Sequence, residues 1–392
     1  MSYNYDATLL YRMPTKVYYG ISSTNIIPQE VRNQGATKVM LVSDKGIVGA
    51  GLVDPILKSL KEANIPCVVF DDIEVDPGNK ICEVGAKFLK DNGCDIIVIV
   101  GGGSPICAAK GMAILATNGG DIRDYKGVEK FKIPPIPTIC VPTTAGSGSE
   151  VSAATVLHDE DDGRSTFTMN GFHLFPKAAI LDPLVLRRYP TMPFLFAALD
   201  ALTHAVESLY TTEATPITDA LALDAIRLMI ENLPSAAYSD DLEAKGMQLV
   251  ANVMANMACG NAKLGLVHGM AASANMYGIN HGMGLGILLP HVMEYNLPVA
   301  QEKFARLADM CGWSKDGMNR QEKATAVVEG MRAFLTLLRV PDRFPADKVP
   351  HDAIPSMAER AMKMPQSSVF NKRKPNINDM IAIYEKAFKG WY

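Results

Sequence analysis

Several features that would place a protein in a particular class are scarce or missing here. Lysine and arginine together number 38 against 42 aspartates and glutamates, a net charge of −4, so no basic excess favours a nucleic-acid partner. No uncharged apolar run of about 18 residues occurs, so we expect no membrane span. The N-terminal segment has no positively charged stretch followed by an apolar one, so we expect no signal peptide. With 48% hydrophobic and 20% charged residues, the composition is that of a soluble globular protein.

The seven cysteines form no Cys-x-x-Cys pair and lie scattered along the chain. An odd number of irregularly spaced cysteines is typical of reduced thiols rather than of a disulfide framework, and it predicts a cytoplasmic protein. The length of 392 residues exceeds what one hydrophobic core usually supports, so we expect two domains.

The first half of the chain alternates short apolar runs with helical patterns such as 53–63 and 80–92. Runs this apolar are typical of strands buried on both faces of a parallel sheet that helices cover. The predicted strands are 38–43, 66–71, 94–100, 135–142 and 178–182. Strand–helix alternation predicts an α/β domain with right-handed crossovers.

The second half is dominated by long helical patterns rich in alanine, leucine and methionine. The predicted helices are 194–210, 216–232, 240–259, 300–311, 321–339, 352–363 and 376–388. Because β-branched runs become scarce after about Pro193, this half is predicted to be an all-helical domain. We place the boundary within 184–192, which gives an α/β domain over 1–188 and a helical domain over 189–392.

Two turns rich in glycine and small hydroxyl residues follow predicted strands. One is Gly101-Gly102-Gly103-Ser104-Pro105, and the other is PTTAGSGSE at 142–150. Backbone N–H groups in such turns approach a phosphate closely, and a helix N-terminus adds a favourable dipole. Either turn alone is also explained as a tight strand-to-helix connection. Two turns at neighbouring strand ends favour a ligand site, although neither is a G-x-G-x-x-G fingerprint or a P-loop.

Asp44 ends an earlier predicted strand and is a candidate partner for an adenosine ribose. A carboxylate at this place favours NAD over NADP, because it would repel a 2′-phosphate. The alternative role for Asp44 is to cap the following helix.

The helical half contains a candidate metal site. Asp200 and His204 stand four residues apart, on one face of a predicted helix with apolar neighbours. A buried carboxylate–imidazole pair needs a partner, and a cation is the natural one. His268 and His281 lie in a nearly uncharged segment rich in glycine, methionine and alanine. Together the four residues form a three-imidazole, one-carboxylate set that suits Fe(II) or Zn(II).

Simpler alternatives exist for each of these residues. Asp200 and His204 also fit an exposed ion pair, and lone histidines in apolar segments are often satisfied core residues. Glu207, one turn after His204, is the main competing ligand. His291 is expected to be structural.

The sequence resembles the iron-containing (group III) alcohol dehydrogenases over nearly its whole length. Each motif alone is weak, but the combination is specific. The motifs are PTKVYYG at 14–20, GGGSP at 101–105, PTTAGSGSE at 142–150, AAILDP at 178–183, DALTHAVE at 200–207, GLVHGMA at 265–271, HG at 281–282, LLPHVMEYN at 288–296 and INDMIAIYEKAF at 377–388.

The resemblance implies an N-terminal dinucleotide-binding α/β domain, an all-helical metal-binding domain, a cleft between them and an NAD(H)-dependent alcohol dehydrogenase or aldehyde reductase. It implies a divalent iron held by Asp200, His204, His268 and His281. It implies contacts to NAD(H) from Asp44, Gly102, Gly103, Ser104, Thr143, Thr144 and Ser147. It also implies homodimers or higher homo-oligomers, with a contribution from the PTKVYYG strand.

Two departures from the family pattern bear on the substrate. Relatives carry an aspartate where this chain has Cys107, and often a second histidine where it has Ala272. Cys107 removes a negative charge. Ala272 removes a bulky polar group, the histidine that would serve a proton relay. An anionic short-chain aldehyde, such as sulfoacetaldehyde or succinic semialdehyde, is therefore a candidate substrate. Candidate anion partners are Arg164, Lys372 and Arg373. A neutral alcohol or diol of the propanediol or ethanol type is the alternative.

Two further classes compete with a dehydrogenase. A metal-dependent lyase of the dehydroquinate-synthase-like architecture needs several lysines and arginines near the metal motifs, and the helical half shows no such concentration. A non-catalytic assembly subunit has no need for an intact set of metal ligands.

Overall fold

The computed structural model describes residues 3, 6–163, 165–187 and 189–392. The chain forms two compact units, one from Met13–Tyr189 and the other from Pro190–Tyr392 together with Met1–Arg12. The sequence placed the first residues in the α/β domain and the junction after residue 188, which lies outside the described residues. In the structure the Arg12 N–H donates to Asn261 Oδ1 at 2.7 Å, so this described residue lies with the helices.

A parallel sheet of six strands forms the centre of the α/β unit. The strands in chain order are β1 (Lys16–Tyr19), β2 (Val39–Val42), β3 (Cys67–Phe70), β4 (Ile96–Gly101), β5 (Gly127–Val128), β6 (Thr138–Pro142), β7 (Ala154–Asp159), β8 (Ser165–Asn170) and β9 (Ala178–Leu181). The large sheet has the order β1-β9-β6-β4-β2-β3, and β5-β8-β7 form a small second sheet. Every residue of β2, β4, β6 and β9 is buried, as expected for strands covered on both faces.

Five α-helices accompany these strands in the described part of the unit. They are α1 (Ile27–Asn33), α2 (Lys45–Gly49), α3 (Asp54–Glu62), α4 (Asn79–Asp91) and α5 (Gly103–Asn118). Side chains of α4 and α5, including Leu89 and Met112, share a core with Ile97 and Ile99 of β4. The small sheet contributes Leu157 and Phe167 to a second core with Ile114 of α5, so this helix is covered on both sides. Its small, apolar sequence is what such double burial requires.

The second unit is helical. Its helices are α6 (Thr191–Ser208), α7 (Pro216–Tyr238), α8 (Leu242–Ala262), α9 (Leu266–Asn275), α10 (His281–Met310), α11 (Arg320–Leu337), α12 (Ile354–Lys363) and α13 (Ile377–Lys389), with a π-helical turn at Gln366–Phe370. No helix in the described part of the chain has the length and apolar character that a membrane crossing needs.

The predicted fold class, a parallel-sheet α/β domain followed by an all-helical one, is confirmed. The five predicted strands correspond to β2, β3, β4, β6 and β9. The small sheet was not predicted, and the predicted helix 300–311 covers only the last part of α10.

Candidate functional site

Three imidazoles of the helical unit surround one carboxylate oxygen. Helix α6 places Asp200 and His204 one turn apart, with His204 Nε2 at 3.2 Å from Asp200 Oδ1. The Nε2 atom of His268, from α9, lies 3.2 Å from the same oxygen, and that of His281, the first residue of α10, lies 3.7 Å away. The rings of His204 and His268 stack with centroids 4.8 Å apart. All four predicted ligands are therefore brought together.

The arrangement fits a single small cation. Asp200, His268 and His281 offer ligand atoms that all lie within 4.8 Å of one another. With His204, the site offers three imidazole nitrogens and one carboxylate oxygen, a set of donors that suits Fe(II) and Zn(II). The donor atoms come from three different helices and converge on one point, which neither an exposed ion pair nor separate core histidines would do.

The electrostatics of the cluster favour positive charge at its centre. Burial opposes ionisation of Asp200, but the neighbouring imidazoles hold its pKa well below the usual range. Burial lowers the pKa of His204 to about 4. For His268 burial acts in the same direction, but Glu207 and Asp200 raise its pKa to about 9. Two carboxylates thus face the imidazoles, and a bound cation would balance them.

Glu207, considered as a competing ligand, binds the protein instead. It is fully buried, and its carboxylate accepts hydrogen bonds from the backbone N–H groups of Gly265, Val267 and His268 at the start of α9. Its Oε2 also lies 2.6 Å from His268 Nδ1. A Cβ atom at Gly265 would lie 3.0 Å from Glu207 Oε1, so glycine leaves room for the carboxylate. Glu207 therefore fixes the ring of His268 with Nε2 directed at Asp200.

His291 has a different environment from the other histidines of this unit. It is buried in α10, and neither ring nitrogen has a hydrogen-bond partner within the described ranges. Burial and the nearby cations Arg332 and Lys386 lower its pKa to about 4, so the ring is neutral. His291 is a core residue, in agreement with the sequence.

The two glycine-rich turns of the α/β unit are in contact with each other. They follow β4 and β6, which are parallel neighbours and end at the same edge of the sheet. A Cβ atom at Gly102 would lie 2.9 Å from the side chain of Thr144, and one at Gly103 would lie 3.1 Å from Ser147 Oγ. Gly148 has a φ of 60°, the left-handed region that favours glycine. The turns and the N-terminus of α5 therefore form one cradle with the character of a phosphate site.

An acidic cavity of about 470 Å³ adjoins the first turn. Its lining includes Ser104 with Asp44, Asp71, Asp72 and Glu74. Asp44 also caps α2, since its Oδ1 accepts the N–H of Ile47 at 2.9 Å. Asp44 therefore caps α2 and also lines the cavity.

Lys110 was missed by the sequence analysis. It is 1% exposed in the middle of α5 and is the only charged residue of that helix. A single lysine within an otherwise uncharged helix was the available signal.

Known proteins of one family match nearly the whole chain. The chain matches the family model described as iron-containing alcohol dehydrogenase over residues 14–183, and the model of the C-terminal domain of that family over residues 194–388. It is 36% identical to a 1,3-propanediol dehydrogenase of Citrobacter freundii, over 96% of this chain and 98% of the relative. It is 34% identical to a choline dehydrogenase of Bacillus subtilis, over 96% and 94%. The crystal structure of a 1,3-propanediol oxidoreductase, 35% identical, superposes with a TM-score of 0.93 and covers 97% of this chain and 100% of that one. The chain belongs to the iron-containing alcohol dehydrogenase family and is an alcohol dehydrogenase or aldehyde reductase of that family.

Proposed function

We propose that this protein interconverts a short-chain aldehyde and its primary alcohol with NAD(H) and a divalent metal, iron in the first place. The observation that carries the proposal is the convergence of three Nε2 atoms on Asp200 Oδ1. When bound, the metal supplies a Lewis acid for the substrate oxygen and the nicotinamide supplies or accepts a hydride. Zinc suits the same donors, and the family name supports iron.

The chain's own residues bind and orient these groups. The proposed metal ligands are Asp200, His204, His268 and His281. Glu207 holds the ring of His268 in the orientation that directs Nε2 at Asp200. Gly102, Gly103, Thr143, Thr144 and Ser147 are proposed to bind the pyrophosphate of NAD(H), and Ser104 and Asp44 the adenosine side. Support comes from the contact between the two turns and from the acidic cavity beside them.

The test is an anaerobic NADH-oxidation assay with short aldehydes, with and without Fe(II) or Zn(II), and with metal content measured on the same sample. Turnover that needs the metal is expected. His281→Ala should lose most of the metal-dependent turnover. His351→Ala is the matched control, because this exposed histidine pairs with Glu385 and is not one of the four proposed ligands. Equal activity in the two variants would refute the ligand assignment.

We further propose a neutral aldehyde or diol as substrate. The relatives named above are named for 1,3-propanediol, which is neutral, and for choline, which is a cation, so neither of these substrates is an anion. Of the candidate anion partners, Arg373 donates to the Tyr295 carbonyl and stacks on the Tyr295 ring at 3.9 Å. Lys372 is exposed, and Arg164 lies outside the described residues.

The anionic alternative rests on Cys107 and Ala272. Comparison of kcat/KM for 3-hydroxypropanal or propanal with that for sulfoacetaldehyde separates the two substrate classes. A preference for the neutral aldehydes is expected, and a preference for the sulfonate would overturn this assignment.

A cytoplasmic, homo-oligomeric protein is also proposed. All seven cysteines are free thiols, which supports a reducing compartment. Strand β1 lies at the edge of the sheet with Tyr19 exposed, which supports its use in a contact between copies.

A further inference from the structure

A buried ammonium group lies beneath the second glycine-rich turn. Lys110 Nζ donates to the backbone carbonyls of Ser149 and Ser152 at 2.7 Å each and of Ala154 at 3.0 Å. The ammonium group has three N–H donors, and these three carbonyls use all of them. Burial lowers the pKa of Lys110. Lysine is almost never fully buried without a specific partner, so this arrangement needs an explanation.

The three acceptors belong to the segment that ends the second turn and leads into β7. Ser149 belongs to a short 3₁₀ turn at Ser149–Val151, and its carbonyl also accepts the N–H of Ser152 at 3.4 Å. A second bond ties the same segment to α5, since Thr155 Oγ1 donates to the carbonyl of Cys107 at 2.7 Å. Lys110 thus adds three hydrogen bonds that tie the end of the second turn to α5.

Lys110 also connects the two turns of the cradle. It lies on α5, and the first turn is the N-terminal end of that helix. At the other end of the connection, the Ser149 hydroxyl lies 3.2 Å from Ser147 Oγ, which in turn faces Gly103. One side chain therefore fixes the second turn relative to the helix that carries the first.

We propose that Lys110 is a positioning residue for dinucleotide binding: it holds the second glycine-rich turn against α5 so that both turns present their donors to one pyrophosphate. The inference rests on the proposed function, because it takes NAD(H) as the ligand of the cradle. Hydrogen bonds from a charged donor are among the stronger ones in proteins. If their loss lets the second turn move, the affinity for NAD(H) should fall.

The chain offers a matched control in the other unit. Lys245 is also buried, at 6% exposure, and its Nζ donates to the backbone carbonyls of Ala236 and Ser239 at 2.6 and 2.8 Å. Lys245→Met removes the same kind of anchor from the helical unit. It should lower thermal stability and leave NADH affinity unchanged.

The experiment measures NADH dissociation constants by fluorescence titration, and Tm, for the full-length wild type, Lys110→Met, Lys110→Gln and Lys245→Met. We expect Lys110→Met to raise the Kd for NADH about tenfold or more, with a smaller effect on kcat at saturating NADH. Lys110→Gln keeps two donors and should fall between wild type and Met.

Each outcome decides a separate point. If Lys110→Met is too unstable to purify, Lys110→Gln carries the test through its Kd. A Kd within about twofold of wild type for a folded Lys110 variant would overturn the positioning role. If Lys245→Met weakens NADH binding as much as Lys110→Met, the effect is general destabilisation and the proposal is wrong. Absence of NADH binding by the wild type would instead refute the proposed function.

Discussion

At the scale of single residues, the helical unit uses buried carboxylates in two different ways. Asp200 presents an oxygen to three imidazoles and leaves its charge for a cation. Glu207, seven positions later on the same helix, accepts hydrogen bonds from backbone N–H groups and pairs with His268 Nδ1. Spacing alone made both residues candidate ligands, because both lie one turn from His204. Only the position of α9 shows that Asp200 faces the Nε2 atom of His268, whereas Glu207 faces its Nδ1 atom.

This difference predicts the effect of Glu207→Gln. The variant loses the negative charge that faces His268 Nδ1, and its amide group opposes the N–H donors of α9. The affinity for Fe(II) and for Zn(II) should fall by about 10–100-fold, because the ring of His268 is no longer held in one orientation. Anaerobic competition with a chelator of known affinity measures the change.

Glu30→Gln is the control for that experiment. Glu30 is equally buried, at 1% exposure, but it lies in the α/β unit and binds Lys16 and Tyr18. This variant should lower the free energy of unfolding and leave metal affinity unchanged. Wild-type metal affinity in Glu207→Gln would show that His268 is held by packing alone.

At the scale of elements, local patterns predicted most of the structure and failed where glycine and proline are used for packing. Helix α10 begins with HGMGLG and contains Pro290 and Pro298, which normally indicate a turn or a helix end. In the structure a Cβ atom at Gly282 would lie 1.9 Å from the Phe196 carbonyl oxygen, and one at Gly286 would lie 2.9 Å from Leu199. These glycines allow α10 to approach α6. That contact brings His281 to Asp200, and it is invisible to any local pattern.

Helix α2 gives a prediction about cofactor choice. Asp44→Ser keeps a side-chain acceptor for the N-cap of α2 but removes a negative charge from the acidic cavity. The ratio of kcat/KM with NADPH to that with NADH should rise about tenfold or more, because a 2′-phosphate meets less repulsion. Steady-state kinetics with both cofactors measures the ratio.

A serine at another aspartate N-cap separates charge from capping. Asp241 caps α8 in the helical unit by accepting from Glu243 and Ala244. Asp241→Ser should leave the cofactor ratio unchanged. An unchanged ratio in Asp44→Ser as well would mean that Asp44 only caps its helix.

At the scale of the whole molecule, described residues near the N-terminus belong to the helical unit. Tyr3 OH donates to Asp219 Oδ2 at 2.7 Å, and Lys303 Nζ lies 2.8 Å from the same oxygen and 4.8 Å from the centre of the Tyr3 ring. The partners are 216 and 84 positions apart in sequence. Period and composition located the helices of this unit, but pairing over such separations depends on how the helices pack, so residues 1–12 were assigned by continuity alone.

The buried ion pair of this unit predicts a non-additive stability change. The side chains of Lys303 and Asp219 are 8% and 3% exposed, and burial lowers the pKa of Lys303 and raises that of Asp219. Lys303→Met leaves the carboxylate buried, with Tyr3 as the remaining side-chain donor among the described residues, so it should cost about 3–5 kcal/mol of unfolding free energy. The double variant Asp219→Asn with Lys303→Met should recover most of that loss, since no charge is then buried.

Urea unfolding measures the free energy of unfolding of both variants. Lys58→Met, at an exposed pair, is the control and is expected within about 0.5 kcal/mol of wild type. If the single and double variants were equally unstable, the loss would come from the packing of the lysine stem rather than from an unpaired charge.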